Sequence, residues 1–220
     1  MGKRVVVNAA QARALLSAAG TQRPSGPGLV AFPGRLYHAA LRPGEAVTLR
    51  AADLRLPDDG WGELLLTGST PEAASSWTGN GRRREERESK HRARGEIRSV
   101  PCPPPLTVPL RAHLAEHGTT PHGRLFRGVR GGDLPEGTYC PRTSALTPED
   151  AASPLARRPN DLRHAAVSTW LNAGVPSTQV AEWAGHSVGV LHQIYPKCIV
   201  GQEDAARERI AAALGDGSGA

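Results

Sequence analysis

Across 220 residues the formal charge is +6, hydrophobic residues make up 39% and aromatic residues only 4%. That length suits one generous domain whose core is built mainly from Leu, Val and Ala. Three widely spaced cysteines, Cys102, Cys140 and Cys198, contain no Cys-x-x-Cys pair, which argues against a disulfide framework or a zinc site.

The opening MGKRVVVNAAQARALL lacks a long apolar run, so the expectation is a cytoplasmic chain with neither signal peptide nor membrane span. A sequence pI of about 9.8 favours a polyanionic partner, nucleic acid first among them. The blander reading is a soluble basic protein with no such partner.

Residues 8–19 predict a short helix capped by Asn8, followed by a Pro- and Gly-rich loop. The apolar stretch 29–49 is helical in pattern, with a break or kink expected at Pro33-Gly34. Residues 61–67 and 96–101 predict two strands of a small antiparallel sheet. Between them, Gly79–Gly95 carries seven Lys and Arg against three Glu, which suits either a solvated charge run or a DNA-facing hairpin.

Residues 106–117 predict a helix, whereas 118–159 give no secure pattern. In the last third Leu162, Ala166, Thr169, Trp170 and Ala173 recur at helical spacing up to Gly174, a C-terminal stop. A second helix starts at Ser177, a third is capped by Ser187, and residues 202–214 form a final amphipathic helix. The fold class is therefore α+β, mainly α-helical. The expected division is an N-terminal helix and loop over 1–26, one domain over 27–214 and a disordered tail over 215–220.

Breaking a phosphodiester needs a nucleophile for phosphorus, cations for the charge on the equatorial oxygens and an acid for the leaving oxygen. Arginine suits the second role because its planar fork grips phosphate bidentately and keeps its charge. A tyrosine phenol suits the first, since it can form a phosphate ester. The chain offers such a set in order: Arg42 in ALRPGEA, Lys90 in SKHRARG, Arg163 in NDLRHAAV, His186 in AGHS, and Tyr195 nine residues later.

This order, with D-L-R-H, A-G-V-P, G-H-S and the spaced tyrosine, resembles the tyrosine recombinases and integrases, from about Asn8 to Leu214. The resemblance implies a mainly helical catalytic domain that acts on double-stranded DNA without metal or cofactor. Arg42 and Arg163 would grip the scissile phosphate, and Tyr195 would attack it to leave a 3′-phosphotyrosine and a 5′-hydroxyl. Lys90 would protonate that hydroxyl, His186 would hydrogen-bond the phosphate, and Glu45 would buttress the arginine box. The amphipathic tail would pack against a second protomer.

The sequence departs from the family in three places. Asn160 stands where a histidine is usual, and an amide cannot exchange a proton near neutral pH. The stretch before the D-L-R-H helix is short, and no amino-terminal clamp domain fits before Asn8. Asn160, Arg92 and Arg94 are candidate DNA contacts, and either arginine competes with Lys90 because the hairpin register is open.

Each residue also has a plainer reading. Arg163 alone could be a surface salt-bridge arginine, His186 a turn residue, Tyr195 a packing residue, and Trp170 and Trp183 core. His113 and His117 share a helix face, but Glu116 is misplaced for an H-E-x-x-H zinc motif. The competing functions are a non-catalytic DNA-binding protein, whose segment 176–195 has a helix-turn-helix rhythm, and an inactive integrase remnant.

Overall fold

The computed structural model describes residues 9–21, 26–69, 87–88, 96–128, 134, 148, 158–199 and 203–215. They fall into two units, Met1–Ala166 and Val167–Ala220. Asn8, most of the charged stretch 79–95 (Lys90, Arg92 and Arg94 included), Cys140 and most of 129–157 lie outside the described residues.

In the first unit α1 (Ala9–Thr21) buries Ala12, Leu15, Ala18 and Ala19, a stripe at helical spacing, and packs on α2 (Ala31–His38). The break expected at Pro33-Gly34 is absent. Pro33 falls in the first turn of α2, where its missing N–H has no intrahelical acceptor to lose. The chain turns instead at Ala39–Arg42, before α3 (Pro43–Thr48).

Strands β1 (Leu54–Arg55), β2 (Gly62–Leu66) and β5 (Arg98–Cys102) form an antiparallel sheet in the order β1-β2-β5, and β3 (Gly68–Ser69) pairs antiparallel with β4 (Arg87–Glu88). In the β2–β5 ladder Leu64 faces Val100 and Leu66 faces Arg98. Alternation therefore buries Leu64, Leu66, Arg98, Val100 and Cys102 on one face. The next helix, α4 (Pro104–His117), packs on α2 and tolerates an internal Pro109.

The two phenylalanines of the chain meet in this core, edge to face with centroids 5.4 Å apart. Against both rings lies a guanidinium: Arg35 is fully buried, 4.1 Å from the Phe126 ring centre and 4.9 Å from that of Phe32. None of its three side-chain nitrogens has a hydrogen-bond partner. Burial pushes it well below the ordinary arginine value, with Cys102 acting weakly the other way. His113 stacks on Phe126 at 4.4 Å and its Nε2 bonds the Leu125 carbonyl at 2.7 Å. The HLAEH histidine is thus engaged in packing.

Helix α5 (Pro159–Asn172) belongs to the first unit as far as Ala166. Its buried residues include Leu162, Ala165, Ala166, Val167 and Leu171, whereas Thr169 and Ala173, expected on the apolar face, are exposed. Gly174 ends it with φ +79°, as the sequence implies. In the second unit follow α6 (Ser177–Ala184), α7 (Val188–Ile194), α8 (Pro196–Ile199) and α9 (Glu203–Gly215). Trp170 and Trp183 pair edge to face at 5.7 Å, which is packing rather than base stacking. No described helix is long and apolar enough to cross a membrane.

Two stability predictions follow from the Arg35 cluster. An unsatisfied buried cation costs more than its ring contacts return. Replacing Arg35 by Met should leave unfolding free energy unchanged or raise it by about 1 kcal/mol or more; a loss of that size in urea denaturation would show the opposite balance. Burial lowers the His113 pKa, the Leu125 carbonyl partly restores it, and Arg35 lowers it again. The unfolded chain therefore takes up a proton near pH 6.5 that the folded chain resists, so stability is complete above that pH and declines below it. The melting temperature should fall between about pH 7 and 5, less steeply in His113→Gln. Equal slopes would exclude His113 as a source.

Candidate active site

The centre of the candidate site is Glu45, at the third position of α3. Its carboxylate reaches back to the start of the helix, where Oε2 accepts the Arg42 backbone N–H at 2.7 Å and Oε1 accepts Arg42 Nη1 at 2.9 Å. A glutamate so placed caps an otherwise orphaned N–H. Because Pro43 fixes the first helical φ, the local sequence R-P-G-E sets both the helix start and the arginine.

Two further arginines converge on the same carboxylate. Arg98 Nη2 lies 2.8 Å from Oε2 and Arg163 Nη1 lies 4.0 Å from it. Glu45, Arg98 and Arg163 are buried, and Arg42 is 35% exposed. Burial alone would raise the Glu45 pKa; Arg98, then Arg163, then Arg42 and its backbone N–H outweigh it and hold the carboxylate below its usual range. The group therefore stays ionised, and the stability it contributes is lost only as pH falls through that lowered value.

Arg163 Nη1 donates to the carbonyl of Ala40. Ala40 has φ +49°, the left-handed region that L residues with a side chain enter only at a cost of about 1–2 kcal/mol. That conformation turns the Ala40 carbonyl to the guanidinium and marks a backbone held by its surroundings.

The structure thus brings Arg42 and Arg163 to the same carboxylate, that of Glu45. It adds Arg98, which sequence reading passed over. The signal was present: Arg98, Val100 and Cys102 share one parity of the strand. Ile97 occupies the opposite parity, however, and it is exposed, so the pattern alone did not decide the phase. Asn160 is exposed in the first turn of α5.

His186 and Tyr195 lie in the second unit. Helix α6 ends at Gly185, whose φ of +62° and ψ of +45° form a left-handed stop. The Gly185 N–H bonds the Glu182 carbonyl at 3.1 Å and the His186 N–H bonds the Ala181 carbonyl at 2.9 Å. The next helix starts where Ser187 Oγ accepts the Val190 N–H at 3.3 Å, the cap expected from sequence. Tyr195 closes α7: its N–H bonds the Leu191 carbonyl at 2.8 Å, and its side chain is 6% exposed. Both residues therefore sit at helix ends, with their backbones fixed by caps. Among the described residues no group of three or more His, Cys, Asp or Glu could hold a metal ion.

An alanine at 185 should cost about 1–2 kcal/mol through its positive φ and disturb the backbone that carries His186. Urea unfolding of Gly185→Ala checks this, and an unchanged midpoint would count against a required left-handed stop.

No protein-family model matches the chain, and no curated protein matches it. Solved structures do. The Tn1549 transposon integrase in complex with circular intermediate DNA superposes with a TM-score of 0.72 at 18% identity, over 97% of this chain and 68% of that one. The XerH site-specific recombinase bound to difH substrate gives 0.64 at 16%, over 97% of this chain and 55% of that one. The catalytic domain of bacteriophage HP1 integrase gives 0.56 at 16%, over 93% and 94%. At these identities the likeness is one of architecture, and the chain has the fold of the tyrosine recombinase catalytic domain.

Proposed function

We propose that this chain recombines DNA by cleaving and rejoining strands through a 3′-phosphotyrosine. The observation that carries the reading is the convergence of Arg42 and Arg163 on Glu45, in a fold shared with integrases that are seen on DNA. Two guanidiniums held side by side suit a phosphoryl group whose equatorial oxygens gain charge as the nucleophile enters. Tyr195 Oη attacks phosphorus, and its phenolic proton passes to water as the new P–O bond forms. The bond to the 5′ oxygen breaks, and that oxygen takes a proton from Lys90. His186 hydrogen-bonds the phosphate. The ester keeps the energy of the broken linkage, so attack by a 5′-hydroxyl reverses the step without ATP, metal or cofactor.

Double-stranded DNA is the partner, Arg92, Arg94 and Asn160 add contacts to it, and the compartment is the cytoplasm. Helix α9 exposes Ile210 and Leu214, one turn apart, which suits self-association on DNA. The second reading, a DNA-binding protein without catalysis, is favoured by one observation: Asn160 replaces a proton-exchanging histidine.

Covalent trapping on a nicked duplex, taken from the DNA that flanks the gene, separates the two. The expected result is a protein–DNA adduct from the wild-type chain and none from Tyr195→Phe. An adduct that survives the substitution removes Tyr195 as nucleophile. Salt-dependent binding with no adduct supports the non-catalytic reading.

A further inference from the structure

No further inference is drawn: the strongest candidate, the open apolar groove between β1 and α4 lined by Leu54, Leu56, Arg111 and Leu114, is a surface for which nothing in the structure shows what covers it.

Discussion

One buried carboxylate organises the first unit. Glu45 caps α3, fixes the arginine at its start, receives Arg98 from the sheet and stands beside Arg163 from α5. A lone carboxylate in that position would be expelled or protonated; a lone arginine would fare no better. The cluster is stable only as a set, so three segments far apart in sequence must be in place before any one of them is. Burial of these charges therefore depends on all three segments being packed together in this unit.

A third buried cation is handled differently. Arg35 has no hydrogen-bond partner and rests on aromatic faces, which offset only part of its dehydration. With an aromatic content so low, the core gives both phenylalanines to this contact, and His113 takes the remaining stacking position on Phe126. The first unit thus holds two kinds of buried charge, one neutralised by a partner and one merely tolerated.

Much of this was legible in the residues. Strand-like runs at 61–67 and 96–101 located β2 and β5, a glycine stop ended α5, and Ser187 capped α7, because each of these is decided by neighbours in sequence. Glu45 behind Arg42 was an implication of the family resemblance, and the first turn of α3 supplies the geometry. What stayed hidden depends on distant partners. Pro33 read as a breaker because its place within the helix was unknown. Arg35 and Arg98 drew no reading from the sequence, since burial of arginine is decided by what packs over it. The stripe on α5 was drawn through Thr169 and Ala173 because apolar residues surround that helix on several sides. Lys90, the weakest assignment from sequence, falls outside the described residues along with Arg92 and Arg94.

The backbone at Ala40 carries a consequence for sequence variation. Its carbonyl is aimed at Arg163 only because the residue adopts a left-handed conformation, and its methyl is wholly buried. Branched side chains are excluded on both grounds, whereas glycine satisfies the backbone at the loss of one methyl. In a saturation library selected for function, position 40 would therefore narrow to the smallest residues and look like a member of the active site. Its side chain would owe that constraint to no substrate at all, only to the peptide group that follows it.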